Sequence, residues 1–168
     1  MKKIFPALVC GFAAGVLNIV PIVKSLSCCV IIPFAAVLAL YLDMRANNSD
    51  EPIRPGKAIV TGVLTGVFAA VFGTILDVFI IFITRSNELA STLPEIEKMI
   101  ADLPASPVWN EVMDLMYKIS DDITNKGFSF IYSFSLLISS LIINSLFGMI
   151  GALIGMQVIN NRIKNSNK

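Results

Sequence analysis

Four long apolar segments, separated by clusters of charge, constrain the fold of this chain more than any other feature. They cover residues 4–23, 26–44, 58–84 and 128–159. A helix crosses the hydrocarbon core of a bilayer with about 20 apolar residues, and each segment is near or above that length. Helices satisfy their own backbone hydrogen bonds in lipid. The sequence therefore predicts an all-α polytopic membrane protein, with four transmembrane helices in a single domain over residues 1–168.

Composition agrees with this prediction and excludes several classes of protein. Hydrophobic residues make up 55% of the chain and charged residues 15%, whereas soluble domains carry about 25% charged residues. The net charge of +1 offers no basis for a nucleic-acid partner. The apolar run that follows Lys2 and Lys3 continues well past Cys10. We therefore interpret it as a retained first span rather than a cleaved signal peptide.

The chain lacks the usual chemistry of an enzyme or a metal protein. It has no histidine, the commonest general base and the commonest nitrogen ligand of metals. Its three cysteines, Cys10, Cys28 and Cys29, do not form a spaced metal-binding or disulfide framework. We expect no catalytic residues, no metal and no cofactor, and the sequence disfavours an enzyme that acts on lipid.

The distribution of lysine and arginine predicts the orientation of the spans. One side of the membrane would hold Lys2, Lys3, Arg45, Arg54, Lys57, Arg162, Lys164 and Lys168. The other side would hold Lys24, Arg85, Lys98, Lys118 and Lys126, together with most of the acidic residues. Cytoplasmic segments carry the excess of positive charge. The sequence therefore predicts a membrane protein with both termini in the cytoplasm and an extracytoplasmic loop over residues 85–127.

This long loop carries two helical patterns. Each half begins with residues typical of a helix start, a hydroxyl side chain that can cap the first turn and a proline close behind: Ser91, Thr92 and Pro94, then Ser106 and Pro107. Trp109 and Tyr117 belong to the residue types that favour the membrane interface. We expect two short amphipathic helices in this third loop. They would either lie on the outer membrane surface or pack over the bundle, and Trp109 and Tyr117 would be interfacial anchors.

Glycines recur at a spacing of four residues in three of the four spans. Such G-x-x-x-G patterns let two helix backbones approach closely in lipid, where the helix penalty of glycine matters less. The sequence therefore predicts a tight four-helix bundle. The predicted helix-packing positions are Gly11, Gly15, Gly62, Gly66, Gly73, Gly148, Gly151 and Gly155.

Three polar residues inside the spans are candidates for an ion or solute site. Asp77 lies about seven residues, or roughly 10 Å, from the outer end of the third span. Asn18 and Asn144 lie in the first and fourth spans. Intramembrane carboxylates are costly and often mark ion paths. Two interpretations remain open: the three residues line a polar cavity, or Asp77 faces water or Lys24 while the asparagines make interhelical hydrogen bonds.

The chain resembles a family of short four-span bacterial membrane proteins of unknown function, of the type found in Bacteroidetes. The resemblance covers mainly residues 55–168 and lies in pattern rather than in a diagnostic motif. It is carried by the stretch "GKAIVTGVLTGVFAAVF", the long acidic outer loop, and "FGMIGALIGMQVINNRIK" with its basic tail. The resemblance implies a fold and a location in a bacterial inner membrane. The family supplies no known catalytic residues, so the resemblance implies no site.

Two functions are consistent with these features. The first is an integral membrane protein without enzymatic activity, acting as a structural or accessory subunit. The second is a small transporter or channel for an ion or small solute. Four spans are too few for most single-chain pathways, so a transporter would have to form an oligomer. In both cases the partners are the lipid bilayer and either further copies of the chain or another membrane protein.

Overall fold

The computed structural model describes residues 4–20, 27–47, 51–85, 88–101 and 106–166. In these ranges helix is the only regular secondary structure, with no strand. They contain six α-helices: α1 (Phe5–Leu17), α2 (Ile32–Ala46), α3 (Pro55–Thr84), α4 (Glu88–Ala101), α5 (Pro107–Lys126) and α6 (Phe130–Ser166). A π-helical turn, Ser27–Ile31, leads directly into α2. The all-α prediction is thus confirmed for the part of the chain that the structure describes.

Prolines mark the beginnings of four of these helices. Pro6 and Pro33 lie in the first turns of α1 and α2, and Pro55 and Pro107 are the first residues of α3 and α5. Proline suits these positions because the first turn leaves its N–H groups without intrahelical partners, and the ring fixes a helical φ. The prolines therefore set where the helices begin without breaking any of them.

Three helices are long and apolar enough to cross a membrane: Cys29–Ala46, Pro55–Thr84 and Phe130–Asn165. They correspond to the second, third and fourth predicted spans. The predicted first span, residues 4–23, is helical only over the 13 residues of α1. At 1.5 Å per residue, α1 is about 20 Å long, less than the roughly 30 Å of a hydrocarbon core. Residues 18–20 continue it as turns, and residues 21–23 lie outside the described ranges.

The chain divides into two compact units. The bundle unit comprises Met1–Leu76 and Leu136–Lys168, and the loop unit comprises Asp77–Ser135. The bundle unit contains α1, α2, most of α3 and most of α6. The loop unit contains α4, α5 and the adjoining ends of α3 and α6.

Small side chains form most of the interior of the bundle unit. Ala36, Ala39, Ala69 and Ala152 are fully buried. Many large apolar side chains are exposed, with Phe34 67% exposed, although Ile32 and Leu40 are buried. A soluble protein buries its large apolar residues. The reverse arrangement is expected where the outer surface meets lipid and small residues let the helices approach.

Two glycine-lined contacts attach α3 to its neighbours. Gly62 and Gly66 meet α6 so closely that a Cβ on Gly66 would overlap the main-chain carbonyl group of Asn144, and Gly148 faces Gly62 from α6. Gly11 and Gly15 of α1 rest on another part of α3, where a Cβ on Gly11 would lie 2.7 Å from the carbonyl oxygen of Thr65.

The remaining glycines complete a ring of four helices. Gly73 of α3 lies in ordinary van der Waals contact with Gly15. Gly151 and Gly155 of α6 meet Pro33 and Val37 of α2. Because α1 also packs along α2, each of the four helices contacts two others. Of the two contacts with α2, the one at Gly151 is the tighter, since a Cβ there would lie 2.6 Å from the carbonyl oxygen of Pro33.

The loop unit is organised by the contact between α4 and α5. Ile119 and Ile123 are buried on one face of α5, and Leu93 is buried on α4. The Tyr117 hydroxyl donates a hydrogen bond of 3.1 Å to Oε2 of Glu97. This bond raises the pKa of Tyr117, because it stabilises the protonated phenol beside the carboxylate.

The helices of the loop are present, but α4 begins earlier than predicted. It starts at Glu88, so Ser91 and Thr92 lie inside the helix and the prediction that they cap it is wrong. Pro94 lies within α4, where it removes a single main-chain donor. Ser106 does precede α5 with an extended backbone, although its side chain makes no capping hydrogen bond. The helix ends at Gly127, whose φ of 74° is a left-handed conformation that favours glycine.

Gly66→Ala should destabilise the bundle by about 1–3 kcal/mol, because the new methyl group has to push α6 away from α3. Gly56→Ala is the matched control, since a Cβ at Gly56 meets nothing within 4 Å. Unfolding of the purified protein in mixed micelles with increasing SDS measures both. Equal stability of the two variants would contradict the close packing of α3 on α6.

Candidate functional site

A buried carboxylate lies at the end of the bundle unit where α2 stops and α3 starts. Asp43, in the last turn of α2, is 2% exposed, and its Oδ2 lies 2.5 Å from Nζ of Lys57 in the first turn of α3. Asp43 is the only charged side chain that is buried among the described residues. This ion pair is therefore the main electrostatic feature of the bundle unit.

Asn47 completes the surroundings of Asp43. Its Nδ2 donates to Oδ1 of Asp43 at 3.0 Å and to the main-chain oxygen of the same residue at 2.7 Å. Its main-chain N–H also donates to that oxygen, at 3.2 Å. Asn47 thus caps the C-terminus of α2 and holds the carboxylate toward Lys57.

Burial of a charge is costly unless it is paired and hydrogen-bonded. Asp43 meets both conditions, with Lys57 on one oxygen and Asn47 on the other. The side chain of Lys57 is 42% exposed, so its ammonium group keeps contact with the surroundings of the bundle. The pair is consequently partly solvated. Its net contribution to stability lies between the values typical of surface pairs and of buried pairs.

A second polar contact fixes the linker between α2 and α3. The main-chain N–H of Ile53 donates to Oδ1 of Asn160 at 2.8 Å, and Nδ2 of Asn160 donates to the main-chain oxygen of Ile53 at 3.0 Å. One amide side chain therefore pairs with both main-chain groups of a linker residue. The Ile53 side chain is buried in a cluster with Leu40, Ala58 and Ile159.

Together these contacts join the ends of α2, α3 and α6 at one end of the bundle unit. We call the set Asp43, Asn47, Ile53, Lys57 and Asn160 the polar lock. Its charges and amides are directed at one another. Among the described residues, no group of three or more histidine, cysteine, aspartate or glutamate side chains could hold a metal ion.

The two predicted polar residues of the bundle unit lie at different levels of α3. Asn144 is buried, and its main-chain carbonyl group lies against Gly66. Asn18 follows the end of α1, with its Nδ2 beside Gly73. Gly66 and Gly73 are seven residues apart, or about 10 Å along a helix. The structure therefore places the two asparagines at separate helix contacts.

The other predicted residues belong to the loop unit. Asp77 is half-buried and has an interaction partner; Lys24, its suggested partner, lies outside the described residues. Trp109 is half-buried in the first turn of α5. Tyr117 is exposed and bonded to Glu97. The side chains predicted as interfacial anchors thus lie in the loop helices, as the sequence placed them.

The polar lock was not predicted from the sequence, although the charges at the ends of the second and third predicted spans indicate it. Asp43 lies inside the predicted second span, and Lys57 immediately precedes the third. The two spans are joined by a short linker and run in opposite directions, so their facing ends must lie close together. Opposite charges at two such ends are a pattern that predicts an ion pair.

Comparisons of the chain with family models, with curated proteins and with solved structures found no match.

Lys57→Met should destabilise the bundle more than Asp43→Asn does. Loss of Lys57 leaves a buried carboxylate without its cation, at a cost of about 1–3 kcal/mol, less than for a fully buried pair. Loss of Asp43 leaves a lysine that can turn to water, while asparagine still accepts the hydrogen bond from Asn47. The double variant should cost less than the sum of the two, as measured by unfolding in SDS-containing mixed micelles.

Asp122→Asn is the control for this series. Asp122 pairs with Lys126 on the surface of α5, an i,i+4 contact that raises the pKa of Lys126 through a hydrogen bond. Removal of such an exposed pair should change stability little. Strictly additive effects at Asp43 and Lys57 would show that the two side chains are not coupled.

Proposed function

We propose that this protein is a four-span integral membrane protein that acts, without enzymatic activity, as a structural or accessory subunit. The observation that carries the proposal is the polar lock. The buried charge of the bundle unit, Asp43, is paired inside the protein with Lys57 and Asn47. A conduit for ions typically directs its buried charge toward a water-filled path, whereas a scaffold uses it to fix helix ends.

The outer faces of the bundle unit support a role in assembly. Phe34 on α2 and Ile142, Ile154 and Val158 on α6 are exposed apolar side chains. In a bilayer these faces contact lipid or the helices of another membrane protein. A partner subunit or further copies of this chain would pack there without disturbing the glycine contacts inside.

The proposed topology assigns the fourth crossing to α1 and the turns that follow it. Both termini lie in the cytoplasm of a bacterium, and residues 85–127 lie outside the inner membrane. The excess of lysine and arginine on the side of the termini supports this orientation. The polar lock would then lie at the cytoplasmic end of the bundle. The proposal also retains the resemblance to the bacterial four-span family.

A reporter fused after Lys168 tests the orientation. Alkaline phosphatase should be inactive at this position and active when inserted between residues 102 and 105, since the enzyme folds only outside the cytoplasm. Green fluorescent protein should give the opposite pattern. Active phosphatase at the C-terminus would contradict the proposed topology.

Native mass spectrometry of the gently extracted complex tests the subunit role. We expect a different membrane protein to be present in fixed stoichiometry, because the exposed apolar faces then bury against its helices. A monomer without a partner would contradict the proposal.

A homo-oligomer would also contradict the proposed subunit role, provided that the oligomer carries solute across liposome membranes and that Asp77→Asn abolishes this flux. Asp122→Asn is the control for that measurement. Asp122 is an acidic residue of the loop unit that pairs with Lys126 on the surface of α5. This result would establish the alternative function, a small oligomeric transporter or channel.

A further inference from the structure

An apolar groove runs along the outside of the bundle unit between α2 and α6. Its volume is about 230 Å³. Phe34, Leu38 and Val158 form its walls, with Ile159 among the residues at its base. Near the ends of α2 and α6 it is lined by Tyr41 and Arg162. The groove is thus apolar along its length and basic at one end.

The dimensions of the groove fit one acyl chain. From Phe34 to Met44, both of which line it, α2 advances ten residues, or about 15 Å. That length is half of a hydrocarbon core of about 30 Å, the depth of one leaflet.

Two guanidinium groups mark the end of the groove where a lipid headgroup would lie. Arg162 lines the groove directly. Arg45 is held on Tyr41, with its Nε and Nη2 donating to the tyrosine hydroxyl at 3.2 and 3.1 Å and its charge 5.7 Å from the ring centre. Guanidinium groups bind phosphate oxygens through paired N–H donors.

The surrounding charges favour an anion at this end. Residues 130–168 contain no acid, and their C-terminal stretch carries Arg162, Lys164 and Lys168. The nearby carboxylate of Asp43 is already paired with Lys57. A second copy of this chain fits less well, because a two-fold interface brings the same basic patch of both copies together.

We propose that the groove binds an anionic phospholipid, with one acyl chain between α2 and α6 and its phosphate group at Arg162 and Arg45. The lipid belongs to the leaflet on the side where α2 and α6 end. This assignment requires only that the bundle lies in a bilayer, and it holds whether or not the protein is an accessory subunit.

Lipid retention by the purified full-length protein tests the proposal. Native mass spectrometry compares phosphatidylglycerol with phosphatidylcholine of the same acyl chains. We expect one phosphatidylglycerol per chain in preference to phosphatidylcholine. Arg162→Gln should reduce its retention about fivefold, the equivalent of roughly 1 kcal/mol for an exposed ion pair. Lys164→Gln, in the same basic tail but outside the groove lining, should retain the lipid as the unchanged protein does.

A second pair of variants tests the acyl-chain site. Leu38→Trp fills the groove and should reduce retention of both lipids. Leu42→Trp places the same bulk at another exposed position of α2 and should leave retention unchanged. Equal retention of the two lipids, unaffected by Arg162→Gln, would overturn the proposal. So would a dimer of this chain that dissociates on Leu38→Trp.

Photo-crosslinking on the unchanged protein gives an answer that does not depend on any variant folding. Phosphatidylglycerol with a diazirine in its acyl chain should label residues of the groove above other exposed apolar residues, such as Val60 and Phe12. Labelling spread evenly over all of these would show that the groove holds no particular lipid.

Discussion

The close approach of α3 to α6 is the contact on which the rest of the bundle unit depends. At Gly62 and Gly66 the two backbones meet with no room for a side chain. In lipid there is little hydrophobic gain in bringing two apolar helices together, so helix association rests on van der Waals contact between closely spaced backbones. Once α3 and α6 are fixed, α1 packs on α3 and α2 packs on α6. Small side chains at these contacts therefore matter more for stability than the large ones on the outside.

The polar lock adds directional contacts to this non-directional packing. Contacts between small residues hold helices together but do not fix their relative position along the helix axis. Successive alanine and glycine positions offer similar contacts. The Asp43–Lys57 pair fixes the end of α2 relative to the start of α3, and Asn160 fixes the linker on α6. A charge that is costly to bury removes alternative registers, since each would leave the carboxylate without its cation.

Much of this architecture was predictable from the sequence, because apolar length and glycine spacing have direct physical meaning in a bilayer. The runs that became α2, α3 and α6 are long enough to span, and the glycines mark where these helices meet. Two aspects were not predictable in the same way. Within the described residues, the helix of the first apolar run ends at Leu17. Apolar composition alone does not predict a helix end at that position. The sequence indicates an ion pair between the facing ends of the second and third spans, but Arg45, Arg54 and Lys57 all lie there, and nothing in the sequence specifies which of them pairs with Asp43.

The pairing of Ile53 with Asn160 has a consequence for how the protein loses structure locally. Linkers between helices normally open at little cost, and their amide hydrogens exchange quickly with solvent. Here the Ile53 amide is bonded to a side chain of α6, 107 residues away in sequence. Its exchange therefore requires the last helix to separate from the linker, an opening that also exposes the buried Ile53 side chain. Around Ile53 the linker is thus expected to open together with its contact on α6 rather than by itself.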